Sequence, residues 1–101
     1  FRLDKGTVLM AYNTGKRVAF VDALLDFGSI AAGDTAELTV TIPGAAVGEF
    51  AFVAPPVTID DGLLAIAYVS AAETVTVRLG NVTVGAIGPA ESIFRVGVLG
   101  K

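Results

Sequence analysis

The sequence predicts an all-β fold, an antiparallel β-sandwich or jelly-roll-like barrel, and three observations predict it. Apolar and polar residues alternate with period two in several short runs, which turns one face of each run inward and the other outward. Turn residues such as Gly33-Asp34, Pro43-Gly44, Pro55-Pro56 and Gly88-Pro89 interrupt these runs. Their spacing of about 8–12 residues is that of sandwich and barrel loops. No stretch sustains a helical repeat: Leu24 and Leu25 begin one, but Phe27, Gly28 and Ser29 end it at once.

In chain order, GTVLMAYN (6–13) and RVAFVD (17–22) flank Asn13-Thr14-Gly15-Lys16, a hairpin turn. Leu24, Leu25 and Phe27 make a short strand with Asp26 on its solvent side, before a Gly28-Ser29 turn. AELTVTI (36–42) sends Ala36, Leu38, Val40 and Ile42 one way, and Glu37, Thr39 and Thr41 the other. EFAFVA (49–54) and LLAIAYVS (63–70) are apolar on both faces, so they read as strands covered by a second sheet or by a neighbouring chain. A tight Ser70-Ala71-Ala72-Glu73 link leads to TVTVRL (74–79), with Val75, Val77 and Leu79 inward. IFRVGVL (93–99) places Phe94, Val96 and Val98 on one face and Ile93, Arg95 and Leu99 on the other.

The chain of 101 residues is sized for one domain. Within it, 1–22 reads as a divergent N-terminal arm or hairpin and 23–101 as the β-sandwich core. It is 53% hydrophobic and only 17% charged, which leaves more apolar surface than one small core can hide and points to subunit contacts. No apolar run reaches the roughly 18 residues of a membrane span, and no signal peptide is visible from Phe1 onward. The seven basic residues are scattered and the net charge is −3, so no nucleic-acid surface is expected.

Chemistry-bearing residues are scarce. With no His and no Cys, imidazole bases, thiol nucleophiles, disulfides and the usual zinc sites are excluded, and no cofactor is implied. ALLDFGS (23–29) resembles the A-L-L-D-T-G-A loop of retroviral aspartic proteases, whose dimers pair one Asp from each chain. Phe27, however, stands where that loop needs a Thr or Ser hydroxyl, so Asp26 reads as structural. Asp60-Asp61-Gly62 reads as an Asp-Gly turn, lacking the further acids of a calcium shell. Asn81-Val82-Thr83 matches the glycosylation pattern by chance. Asp22, Asp26, Glu37, Glu49 and Glu73 offer no spacing that selects a glycosidase pair. Arg78 and Arg95 sit in otherwise apolar strands, where a guanidinium needs a carboxylate or carbonyl partner. The chain is not expected to be an enzyme.

From Asp26 onward, DFGSIAAGDTAELTVTIPGAAVGEF (26–50) and APPVTIDDGLLAIAYVSAAETVTVRLGNVTVGAIGPAESIFRVGVL (54–99) resemble a small β-domain of tailed-bacteriophage structural proteins. The shared pattern is the F-x-S-I-A-A-G opening, the PP turn, A-Y-V-S-A, T-V-T-V-R, N-V-T and a closing R-V-x-V, in order. Residues 1–22 fall outside it, and Gly88 stands where an Asp is common before Pro89. The resemblance implies a head decoration (cement) protein that binds the capsid surface as a homotrimer and stabilises the shell. It equally covers head or tail fibre modules, so receptor binding is the alternative. The implied partners are further copies of the chain and the major capsid protein, the implied place is the virion, and assembly would occur in the host bacterial cytoplasm. Ranked by apolarity and position, the expected trimer contacts are Phe50, Phe52, Leu64, Ile66, Tyr68 and Phe94. The expected capsid contacts are Arg2, Lys5, Lys16 and Arg17 in the divergent arm.

Overall fold

The computed structural model describes the backbone of residues 8–13 and 16–100 and the side chains of residues 18–100. Seven strands carry the fold: β1 (Val8–Asn13), β2 (Lys16–Leu25), β3 (Thr35–Thr41), β4 (Phe50–Ala54), β5 (Leu63–Ala71), β6 (Thr74–Asn81) and β7 (Ser92–Leu99). They form two antiparallel sheets, one of four strands in the order β1-β2-β7-β4 and one of three in the order β3-β6-β5. No helix occurs among the described residues.

The pairing is nested. β2 lies beside β7, β3 beside β6, and β4 comes alongside β5 without a ladder between them. The chain therefore runs out as one arm of a long hairpin and returns as the other, with the 55–62 connection at its tip. Ile30 and Ile87 bridge the 26–34 and 82–91 connections, and the Gly33 N–H donates to the Asn81 carbonyl at 2.9 Å. Together with the strand registers, these bonds put the ends of β2, β4 and β6 and the starts of β3, β5 and β7 at one pole. The β3–β4 and β5–β6 connections occupy the other.

Alternation decides what is buried. Ala19, Val21 and Leu25 of β2 and Phe94, Val96 and Val98 of β7 face Val40, Val75, Val77, Leu79, Leu63 and Val69 of the other sheet in one buried cluster. The sheets draw together at one side, where β4 and β5 are the strands of opposite sheets that come closest. Their inward residues there include Ala51, Ala65 and Ala67, each too short to hold the layers at full separation.

One expectation is corrected by β2. It is one continuous strand to Leu25, so no separate strand runs through Phe27, and the 22/23 position lies within it. Ala19 and Val21 belong to the core, because β2 is an inner strand paired on both sides. The β1–β2 hairpin itself is present, with Asn13 opposite Lys16. Elsewhere the turns match their residues. In Ile42-Pro43-Gly44-Ala45 the Ala45 N–H donates to the Ile42 carbonyl at 3.1 Å, and Gly44 takes φ 84° where an L side chain would be strained.

Candidate interaction surface

The carboxylates that might have formed a catalytic pair are each occupied locally. Asp22 binds Arg95 in a two-pronged ion pair, at 2.7 Å to Nε and 3.0 Å to Nη2. Glu37 pairs with Arg78 across β3 and β6. Glu49 accepts from the Ala46 N–H at 3.0 Å, and Glu73 from the Gly44 N–H at 2.9 Å. Asp26 lies past the end of β2, exposed, where its Oδ1 accepts from the Gly28 N–H at 3.2 Å. That is an Asx turn, the structural role its sequence context implied. Among the described residues no three acidic side chains gather into a metal-sized cluster, and Asp60-Asp61-Gly62 forms a turn with Gly62 at φ 91°.

Asn81 is not an accessible glycan acceptor, being only 2% exposed. Its amide nitrogen donates to the carbonyls of Ile30 and Gly85, each at 2.9 Å. Its oxygen accepts from the Thr83 N–H at 2.9 Å and the Thr83 hydroxyl at 2.7 Å. The side chain thus ties β6 to both crossing connections, and Thr83 is part of the tie. One cleft of about 100 Å³ opens near this pole between Pro56, Ile59, Asp60, Pro89 and Phe94. Ligand pockets usually measure roughly 300–1,000 Å³, so it is small for one.

What the molecule does offer is apolar surface on the outer faces of both sheets. On the four-stranded sheet, register places Phe50, Leu99 and Val18 in one cross-strand row, Phe52, Gly97 and Phe20 in the next, then Ala54, Arg95 and Asp22, and last Ile93 with Leu24. Phe50 is 65% exposed with exposed Leu99 beside it, and Leu24 and Ile93 are exposed at the far end of the face. Gly97 is required here because the Phe52 ring lies across it: a Cβ at 97 would sit 2.3 Å from Phe52 Cζ and 2.9 Å from the Ala19 carbonyl oxygen. An aromatic ring covering a strand glycine in this way shields the bare backbone.

Among the described residues, the charges on this face neutralise each other. The Arg95 guanidinium stacks over Phe20, 4.9 Å from the ring centroid, while it holds Asp22. The hydrogen bond to Arg95 keeps the Asp22 carboxyl below its ordinary pKa, partly offset by desolvation, and the same bond raises Arg95.

The three-stranded sheet has a mixed outer face. Thr35, Glu37 and Thr39 of β3 and Arg78 and Thr76 of β6 form polar columns, whereas Leu64, Ile66 and Tyr68 of β5 form an apolar one. Leu64 is 62% exposed, Ile66 52% and Tyr68 40%. Arg78 joins the two columns by pairing with Glu37 and donating to the Tyr68 hydroxyl at 3.2 Å. Both arginines therefore face outward with the carboxylate partners their setting demanded.

Of the six expected trimer contacts, Phe50, Phe52, Leu64, Ile66 and Tyr68 line outer faces on β4 and β5. Phe94 does not. It is 2% exposed and meets Phe27 edge to face at 5.5 Å, because the alternation of β7 turns it into the core. Arg2 and Lys5 lie outside the described residues. Lys16 and Arg17 sit in β2 beyond its pairing with β7, and their side chains lie outside the described ones. The expectation missed Leu24, Phe20, Ile93 and Leu99, although the 93–99 alternation already set Ile93 and Leu99 apart from the core. Val57 and Val84 stand almost wholly exposed on the connections at the Asn81 pole.

No protein-family model, curated protein or solved structure matches this chain.

Proposed function

We propose that this chain is a structural subunit of a bacteriophage virion: a head decoration, or cement, protein that binds the outer capsid surface as a homotrimer and stabilises the shell. The observation that carries the reading is the exposed apolar surface on both outer sheet faces, backed by charges that are already paired. Such surface marks a contact site, and permanent homo-oligomers are where it is usually buried. The nested strand pairing supports the reading too. It is similar to the winding of a jelly roll, an architecture frequent in viral coat domains, although fold alone does not specify function. Binding across several capsid subunits would multiply weak single contacts into firm attachment.

The test has two stages. Size-exclusion chromatography with light scattering should give three times the 10.3 kDa of one chain. Sedimentation with purified shells of the encoding phage should then carry the protein down and raise the temperature at which the shells rupture. A trimer that ignores shells but binds host cells would favour a fibre module instead.

A further inference from the structure

We infer that the free edge of β3 is a strand-acceptor site, where an extended segment of another protein pairs antiparallel with Thr35–Thr41 and adds a fourth strand to the smaller sheet. The site does not depend on the virion reading, because backbone groups carry it.

Register fixes which way those groups point. β3 bonds to β6 through its even-numbered residues. At the two ends of the ladder, the Asn81 N–H donates to the Asp34 carbonyl at 2.9 Å and the Ile42 N–H to the Glu73 carbonyl at 3.0 Å. Antiparallel bonding alternates, so the N–H and C=O groups of Thr35, Glu37, Thr39 and Thr41 point away from β6. β3 is the last strand of its sheet, and no ladder meets them. Among the described residues only the Thr35 N–H finds a partner, the neighbouring Asp34 Oδ1 at 2.8 Å.

Proteins usually blunt such an edge with Pro, Lys, a bulge or a covering element. β5, outermost on the other side of this sheet, is blunted in that way: a bulge lies between Val69 and Ala71, and β4 runs alongside. TAELTVT has no Pro, no Lys and no bulge, and keeps one register along its whole length.

The core is open at the same edge. Inward-facing Ala36 and Leu38 are only half-buried, whereas Val75, Val77 and Leu79 on the adjoining β6 are wholly buried. Strand order explains the difference. With β4 beside β5, the order β4-β7-β2-β1 stands over β5-β6-β3, and the position under β1 holds no strand.

That overhang selects the occupant. Two copies pairing β3 with β3 antiparallel are related by a two-fold perpendicular to the sheet, which puts both larger sheets on one side. Each β1 would then fall where the other copy's β2 lies, because strands are spaced about 4.8 Å apart in either sheet. A lone strand fits beneath β1; a second copy does not. The chemistry of the segment follows. Apolar residues lean inward beside Ala36, Leu38 and Val40, and Thr, Ser or Lys alternate with them on the outer face. An acid directly opposite Glu37 is disfavoured. Backbone bonds supply the affinity and the alternate side chains the specificity.

The test reads backbone amides by nitrogen-15 NMR and hydrogen exchange. The probe is a synthetic peptide of residues 73–81, ETVTVRLGN, the sequence that β3 already pairs with on its other side. In the free chain the amides of Leu38 and Val40 should exchange slowly and those of Glu37, Thr39 and Thr41 fast. Saturating peptide should slow the second set at least tenfold. Thr39→Pro removes an outward N–H and no ladder bond, so the fold should survive while the peptide effect disappears. Leu38→Lys, an inward-leaning charge at the open edge, should also abolish it and guards against misfolding of the Pro variant.

Three results would overturn the inference. Slow exchange of Glu37, Thr39 and Thr41 in the dilute free chain would mean that the edge is already covered. Protection that grows with protein concentration alone would make a second copy the occupant. Unchanged exchange at millimolar peptide, or an effect that persists in both variants, would show that β3 accepts no strand.

Discussion

Asn81 spends all its hydrogen-bonding capacity inside the protein, and two donors and one acceptor serve four bonds at the junction of three segments. Asn81→Ala takes one donor from each of the carbonyls of Ile30 and Gly85, which keep the Ile87 N–H and the Thr83 hydroxyl, and leaves the Thr83 N–H without its acceptor. The expected loss is about 2–3 kcal/mol, seen in thermal unfolding as a fall of roughly 10–20 °C. Asn81→Asp should be no better, because a carboxylate would face two carbonyls. Gly97 poses the opposite problem, crowding instead of vacancy. Gly97→Ala meets Phe52 and the Ala19 carbonyl, and should destabilise by about 1–3 kcal/mol. Adding Phe52→Ala should recover only part of this in denaturant titration, since the clash with backbone remains.

At the scale of elements, β2 and β7 are held across their outer face by Asp22 and Arg95. The folded Asp22 pKa lies below its unfolded value, so the pair's contribution is fully present above the unfolded carboxylate range. It is lost as pH falls through the depressed folded value. Asp22→Asn should therefore flatten the acid limb of stability against pH, while leaving its shape near neutrality unchanged. Chemical denaturation at a series of pH values reads this directly.

The β5–β6 hairpin turns on Glu73, the one non-glycine with positive φ among the described residues, at 59°. Its N–H donates to the Ala45 carbonyl, its carbonyl accepts from the Ile42 N–H, and its carboxylate accepts from the Gly44 N–H. Glu73→Gly relieves the backbone and loses the carboxylate, so a change of about 1 kcal/mol or less is expected. Glu73→Val loses the carboxylate and adds β-branched strain, and should cost about 2 kcal/mol or more. Equal effects of the two substitutions would show that backbone strain is immaterial here.

For the molecule as a whole, the proposed trimer links stability to concentration. Subunits that bind one another only when folded gain stability by mass action. The unfolding temperature of the wild-type chain should rise with protein concentration, and that of Ile66→Asp should not. Added salt should matter little, because the expected contacts are apolar and the ion pairs beside them lie within one subunit. A strong fall in association with salt would point to charged contacts elsewhere.

The sequence by itself determined most of the strands and turns, and the faces of the alternating strands, because period-two alternation and turn chemistry are local and repeated. AELTVTI and TVTVRL became β3 and β6 with the inward residues their alternation named. It also determined that Arg78 and Arg95 would need partners, though not which. Only the tertiary structure decided that Glu37 and Asp22 are those partners, separated from them by 41 and 73 residues. It also decided that β2 is an inner strand and that Asn81 is a buried tie. Phe94 and Phe50 look alike in a list of apolar residues. Their fates differ because Phe94 alternates with Arg95 and so turns inward, whereas β4 is apolar on both faces and only the sheet packed against it decides that Phe50 faces out.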